Sequence, residues 1–313
     1  MALLPRSLKA NSREIVNIPH PQKSDFKMNT ESLKLIECPR DAMQGIHQFI
    51  PTDQKVLYLQ SLLKVGFDTL DFGSYVSAPA IPQLIDTDEV LDRLDLSQTK
   101  TKLLAIIANR QGAETAARRP EISYLGYPFS VSEVFQKRNT NKTIIESIAL
   151  VEELIEICEA NNKELVVYIS MGFGNPYGEA WSLSLVEKYC EQLIGMGVKI
   201  LSLSDTIGSS HPSNINALFS SLIKAFPAVE FGAHLHTTPN TWHEKVLAAY
   251  NAGCRRFDGA IKGFGGCPMA ADELTGNMPT EKLLTFIQEK KLSHNFDILS
   301  FEVAYNEALK TFP

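Results

Sequence analysis

The chain has 313 residues, 44% hydrophobic and 21% charged, the composition of an ordinary globular protein long enough for one large barrel or two smaller domains. A net charge of −6 and a pI near 5.7 exclude nucleic acid as the main partner, since no basic stripe is available to neutralise phosphates. Apolar runs such as LVVYIS are far too short to span a bilayer, so no membrane partner is expected.

Residues 1–27 differ in character from the rest. Arg6, Lys9, Arg13, Lys23 and Lys27 stand against only Glu14 and Asp25. An organelle transit peptide has this basic, acid-poor composition, but the plainer reading is a flexible tail or an upstream start, with Met28 as the true beginning. The five cysteines (Cys38, Cys158, Cys190, Cys254 and Cys267) are scattered, odd in number and free of C-x-x-C spacing. That usage fits a reducing cytoplasm and neither a disulfide framework nor a structural zinc site.

From Ser32 onward a short β-prone run is followed by a helical pattern, and the unit recurs. LKLIEC precedes PTDQKVLYLQSLLKVG, whose Val56, Leu59 and Leu63 fall at helical spacing, with Thr52 as N-cap and Gly66 as the C′ residue. FDTLDFG leads through a Pro-rich stretch to TDEVLDRL. TKLLAIIAN leads to QGAETAARR. EISYLGYPF leads, after a polar loop, to IIESIALVEELIEICEAN. KELVVYIS precedes SLSLVEKYCEQLIGMG, VKILSLSD precedes INALFSSLIKAF, and AVEFGAHLH precedes TWHEKVLAAYNAG. CRRFDGA then leads to a glycine-rich loop and TEKLLTFIQEKK, and an extra C-terminal helix follows in ILSFEVAYNEAL.

Short continuous apolar strands separated by amphipathic helices indicate a parallel sheet covered on its outer face. Eight such units predict an α/β protein of the (β/α)8 TIM-barrel type, with residues 28–313 as one catalytic domain behind the tail. A doubly wound open sheet is the alternative. No G-x-G-x-x-G follows the first strand, which counts against dinucleotide binding.

In a barrel, function falls at the C-terminal ends of the strands. Strand 1 ends in ECPRDAMQ with Arg40 and Asp41, strand 2 in LDFGSY with Asp71, and strand 6 in LSDTIG with Asp205 and Thr206. Strand 7 ends in HLH, where His234 and His236, two positions apart, share one face. The loop after strand 8 carries Cys267 and Asn277. Closure brings strand 1 beside strand 8, so Asp41 enters the same mouth. Two imidazoles, a carboxylate and an amide oxygen make a mixed N/O site for a divalent ion such as Mg²⁺, Mn²⁺ or Zn²⁺.

The facial triad of non-haem iron oxygenases has a similar ligand set, but those enzymes are usually β-sandwiches. Taken singly, each feature has a plain structural explanation: a hydrogen-bonded HLH, an Arg–Asp ion pair, an inert small cysteine. Their convergence on one face favours function.

ECPRDAMQ, SDTIG, AHLHT and GFGGCPMA…GN, in that order, resemble the 3-hydroxy-3-methylglutaryl-CoA lyase family, barrel enzymes that make or break carbon–carbon bonds through a metal-stabilised enolate. GSYVSAPAIPQ, VSEVFQKRNTN and YISMGFGNPYGE extend the likeness from about Leu33 to Lys290. The resemblance implies Asp41, His234, His236 and Asn277 as ligands of Mg²⁺ or Mn²⁺. It implies Arg40 against the substrate carbonyl, Asp71 (where the family usually has Glu) as a supporting acid, and Cys267 as proton donor to the acetyl-CoA enolate; Asp205, by its place at the end of strand 6, is a further candidate for the catalytic site. Gln44, Ser132 and Thr206 fall in substrate-binding positions. The implied reaction is cleavage of 3-hydroxy-3-methylglutaryl-CoA to acetoacetate and acetyl-CoA, by a cytoplasmic homodimer acting on an acyl-CoA, with Asp41 or His234 as the base.

The chain departs from the family pattern in places. Thr237 and Thr238 follow the second histidine where Asp-Thr is usual, Gly45 and Ile46 replace Asn-Glu after Gln44, and Met269 replaces a tyrosine. The segment from Cys267 to Asn277 is one residue longer than usual. These changes keep every implied ligand and leave the acyl group open, so a related acyl-CoA lyase or a synthase condensing acetyl-CoA with a 2-oxo acid is the rival. A barrel kept only as a binding module is the third reading, and the retained polar ring argues against it.

Overall fold

The computed structural model describes residues 31–266 and 275–312; the tail assigned to 1–27 and the proposed acid Cys267 lie outside them. The strands are β1 (Lys34–Glu37), β2 (Thr69–Ser74), β3 (Lys102–Ile106), β4 (Ile122–Ser130), β5 (Glu164–Ser170), β6 (Ile200–Ser204), β7 (Glu230–His234) and β8 (Arg256–Gly259). All pair in parallel with their sequence neighbours, and β1 closes on β8 with Lys34 opposite Arg256 and Glu37 opposite Gly259. This is the closed (β/α)8 barrel that the alternation predicts.

The helices are α1 (Pro39–Gln44), α2 (Thr52–Leu62), α3 (Thr87–Arg93), α4 (Arg110–Ala117), α5 (Glu133–Thr140), α6 (Ile144–Ala160), α7 (Leu183–Gly195), α8 (Pro212–Ala225), α9 (Trp242–Asn251), α10 (Thr280–Lys290) and α11 (Ile298–Thr311). One apolar core joins the outward faces of the strands to the helices, as with Leu103, Leu125, Val167, Leu201 and Phe257. A second, smaller cluster comprises Leu104, Ile106, Tyr124, Val166, Tyr168 and Ile200, the alternate positions that fill the barrel. Gly126 makes this filling fit: a Cβ there would stand 2.5 Å from Ile106 and 3.0 Å from Leu104. The extra C-terminal helix α11 packs on α2, where Tyr58 meets Phe312 edge-on at 5.5 Å.

Three local expectations are corrected. The polar loop after β4 contains helix α5, started by Ser132, whose hydroxyl accepts from the Phe135 N–H at 3.1 Å, and anchored by the buried Phe135. Thr52 is not a cap: Pro51 takes that position, and the Thr52 hydroxyl donates instead to Asp86 at 2.7 Å. Gly66 does not end α2, which stops at Leu63 in a right-handed conformation; with φ +93° it makes the later turn into β2.

Candidate active site

Arg40 and Asp41 stand on α1, a short helix that leaves β1 at once. Pro39 occupies its first turn, where the missing N–H costs nothing and the fixed φ suits the helix. Consecutive residues there point in different directions, yet both side chains reach one polar cluster. Arg40 donates from Nε to both Asp71 oxygens at 3.2 and 3.0 Å, and from Nη2 at 2.6 Å. Its Nη1 reaches Asp41 at 3.1 Å and Gln44 Oε1 at 2.7 Å, while Gln44 Nε2 donates to Asp41 at 2.8 Å. A planar guanidinium held by two carboxylates cannot swing away.

Asp41 accepts a further bond from Asn277 Nδ2 at 2.7 Å, and the same amide donates to the Phe264 carbonyl. Gly265 seals this junction. Its φ is +91°, and a Cβ would stand 2.8 Å from the Asp41 carbonyl and 2.9 Å from Asn277 Nδ2. The ligand atoms of Asp41, His234 and His236 all lie within 4.8 Å of one another. The two imidazoles are 5.5 Å apart between centroids. His234 ends β7, whereas His236 lies beyond the strand, in an isolated bridge with Asn277.

Behind His234 stands Asp258, whose Oδ2 is 3.1 Å from Nδ1. The β7–β8 register pairs Gly232 with Arg256 and Ala233 with Phe257, so the next step places Asp258 beside His234. Tyr168 meets the same imidazole edge-on at 5.8 Å.

The electrostatics sort these groups. Burial opposes ionisation of Asp41, but Arg40, His234 and the Asn277 hydrogen bond outweigh it and hold its pKa below the usual carboxylate range. Asp71 is pushed up to about 6 by burial, against the pull of Arg40. Burial also works against protonating His234, yet the Asp258 hydrogen bond and charge, with Asp41, raise its pKa above the ordinary 6.5. His236 moves the other way, to about 4, through burial and the neighbouring His234.

Asp41 with two histidines is therefore an O/N donor set suited to a hard or borderline divalent cation. Cys38, His234 and Asp258 also converge within 4.8 Å, but burial and then Asp258, Asp71 and Asp41 drive the Cys38 thiol well above its usual pKa. Burial and three acids thus oppose the thiolate that this second set would need, and Asp41 with two imidazoles is the stronger candidate for a hard or borderline cation.

The pocket before these groups is lined by polar residues that include Arg40, Asp41, Gln44, Thr206, His234 and His236 and by apolar ones that include Val76, Ile81, Ile106 and Pro128. Its volume is about 160 Å³. A cavity of roughly 150 Å³ takes a benzene-sized molecule, so a short branched acyl group fits.

Of the residues singled out in the sequence, Arg40, Asp41, Gln44, Asp71, His234, His236 and Asn277 come together here. Thr206 lines the pocket while its hydroxyl accepts from the Met171 N–H at 2.8 Å. Asp205, 1% exposed, turns to Ser210 and Lys245 instead. Ser132 caps α5 and bonds Glu179, and it does not line the pocket. Asp258 and Lys245 were missed; the one signal for Asp258 was an acid inside a four-residue strand, CRRFDGA, that must bury alternate side chains.

The fold and the site define a (β/α)8 barrel with an arginine-flanked carboxylate–imidazole centre at its C-terminal mouth. Residues 34–306 match the family described as HMGL-like, and the chain belongs to it. It is 29% identical over 278 residues to the hydroxymethylglutaryl-CoA lyase YngG of Bacillus subtilis, covering 89% of each chain. It is 31% identical over 268 residues to the cytoplasmic 3-hydroxy-3-methylglutaryl-CoA lyase of Homo sapiens, covering 85% of this chain and 71% of that one. Among solved structures, an HMG-CoA lyase from Acinetobacter baumannii in complex with coenzyme A and 3-methylmalate superposes with a TM-score of 0.83 at 27% identity, covering 90% of this chain and 92% of that one.

Proposed function

We infer that the protein is a carbon–carbon lyase that cleaves 3-hydroxy-3-methylglutaryl-CoA to acetoacetate and acetyl-CoA. The observation that carries this reading is the convergence of Asp41, His234 and His236 beside an arginine fixed by Asp71, in a barrel of the HMGL-like family. Asp41, His234, His236 and the Asn277 amide oxygen would hold the divalent cation, Mg²⁺ or Mn²⁺ by the character of the donors. Such a cation supplies charge stabilisation to the 3-hydroxyl oxygen as its proton leaves.

The rest is done by side chains. The hydroxyl proton has two candidate acceptors in the site, Asp41 and His234; an imidazole that turns Nδ1 to Asp258 and gives Nε2 to the cation has no lone pair left, which favours the Asp41 carboxylate. As the C2–C3 bond breaks, its electron pair passes into the thioester as the enolate of acetyl-CoA. Arg40, unable to turn away from Asp71, offers its positive charge to that oxygen; removing a comparable donor typically costs about 3–4 kcal/mol. Cys267 is proposed to return a proton to the enolate carbon. Asp71 and Gln44 position Arg40, and Thr206 sits where the acyl group would lie. Ser132, which caps α5, bears on the proposed thioester region through the start of that helix.

A cytoplasmic location is supported by four buried cysteines among the described residues, all free. No described helix is long and apolar enough to cross a membrane. A homodimer is the proposed assembly, with exposed Leu299 and Val303 of α11 as an apolar face available for it. Sedimentation velocity tests that assembly.

The function is tested by offering two substrates in parallel with added Mn²⁺: 3-hydroxy-3-methylglutaryl-CoA alone, and acetyl-CoA with a series of 2-oxo acids. Cleavage of the first with no condensation of the second is expected. Condensation without cleavage would transfer the protein to the synthases of the same barrel group.

A further inference from the structure

His236 has an unusual main-chain position for a metal ligand. The β6–β7 ladder ends at the pair Ser204–His234, so two residues later nothing in the sheet holds the His236 backbone on the β6 side. On the other side it has the bridge to Asn277, and the next residue, Thr237, donates to the Gly276 carbonyl at 2.9 Å. The vacant side is filled from α9 by a lysine. Lys245 is 3% exposed, and its ammonium donates to the His236 carbonyl at 2.9 Å, to Asp205 Oδ2 at 2.8 Å and to the Gly208 carbonyl at 3.1 Å.

An ammonium has three donors and no acceptor, so these three bonds exhaust it. Asp205 is equally committed. Its Oδ1 accepts from the Ser210 N–H at 2.9 Å, its Oδ2 from the Ser210 hydroxyl, and its own N–H donates to the His234 carbonyl at 2.9 Å. The buried pair thus ties the end of β6, the loop after it and the extension of β7 into one node that holds the main-chain carbonyls of both histidines.

We propose that Lys245 is a positioning residue of the metal site: with Asp205 it fixes the His236 main chain so that the ring stays within reach of Asp41 and His234. This assigns Asp205 a supporting part in place of contact with the substrate. The inference rests on the metal reading of Asp41, His234 and His236.

The experiment is Mn²⁺ binding to the full chain, followed by the free-ion EPR signal, alongside thermal unfolding. Partners behind a ligand typically change metal affinity by about 10–100-fold, so Lys245→Met should weaken Mn²⁺ by at least about tenfold. Lys55→Met is the control: Lys55 is 1% exposed and paired with Asp86 at 2.6 Å, yet touches none of the ligands. It should lose stability and keep native Mn²⁺ affinity. Turnover of Lys245→Met should recover substantially at saturating Mn²⁺, because every ligand remains present.

An unchanged Mn²⁺ affinity in Lys245→Met, with a loss of stability like that of Lys55→Met, overturns the proposal and leaves the lyase reading intact. A native chain that binds no Mn²⁺ overturns the metal reading and the proposal together. Should Lys245→Met not fold, Asp205→Asn retains size and an acceptor for the Ser210 N–H while removing the charge and the oxygen that Lys245 uses; weakened Mn²⁺ binding supports the proposal, and native affinity overturns it.

Discussion

His234 presents Nδ1 to Asp258 at 3.1 Å, so its Nε2 is the nitrogen left for the side of the ring shared with Asp41 and His236. A carboxylate behind a ligating histidine fixes its tautomer and orientation and raises its basicity. Asp258 is 2% exposed, and its Oδ1 has no hydrogen-bond partner in the structure, so one oxygen alone carries this contact with help from Ser202 at 3.3 Å. Asp258→Asn should therefore lower both Mn²⁺ affinity and kcat/KM by about 10–100-fold. Parallel metal titrations and steady-state kinetics check it; a loss of stability with native Mn²⁺ affinity would assign Asp258 to the barrel core alone.

Arg40 and Asp71 form a buried pair, with side chains 9% and 1% exposed. Arg40→Gln removes the charge offered to the enolate and strands Asp71. Turnover should fall by about 10²–10³-fold, on the scale of losing one oxyanion donor. Unfolding free energy should drop by about 3–5 kcal/mol, the cost of leaving a buried charge unpaired. Denaturant unfolding at pH 5 and 8 separates the two effects, because an unpaired Asp71 is tolerated better where it can protonate.

Metal affinity should rise with pH. Coordination needs neutral imidazole, and the His234 pKa lies above 6.5 in the folded chain, so the cation must displace a proton there at low pH. His236, near 4, is already neutral and contributes no dependence in the neutral range. Mn²⁺ titrations from pH 5.5 to 8 should show tightening with release of one proton. A flat profile would mean that His234 is neutral before binding.

Glu37 supplies a stability prediction of opposite sign to the usual acid. It is fully buried, accepts from the Ile261 N–H at 2.9 Å and from the Thr280 hydroxyl, and burial lifts its pKa from 4.5 to about 8. Between those values the unfolded chain has lost the proton and the folded chain keeps it, so stability falls as pH rises from about 4.5 to 8. Glu37→Gln should flatten that decline and exceed the native chain at pH 8 by on the order of a few kcal/mol. Chemical denaturation across this range tests it, and equal slopes in both proteins would contradict it.

The barrel was legible because its evidence is local: each apolar strand run and each helical period can be counted without knowing its partners. His234, His236 and Asp41 were legible for a related reason. A two-residue period sets the histidines together, and closure of β1 on β8 brings Asp41 in. What was illegible depends on long-range partners. The acceptors of the Lys245 ammonium lie 9, 37 and 40 residues away, and nothing in TWHEKVLAAY marks that lysine as buried. Asp205 was read as an acid of the catalytic site because it ends a strand, yet Lys245 and Ser210 claim its carboxylate. Helix α5 was missed because its sequence is largely polar and only Ser132 and Phe135 announce it.

The most direct test is acetoacetate release from 3-hydroxy-3-methylglutaryl-CoA by protein stripped with chelator, then restored with Mn²⁺, beside Arg40→Gln handled identically. No release is expected after stripping, with recovery on adding Mn²⁺ to the native chain and at least about a hundredfold lower turnover in the variant at saturating Mn²⁺. Release that survives stripping, or that Arg40→Gln supports at the native rate, would contradict it.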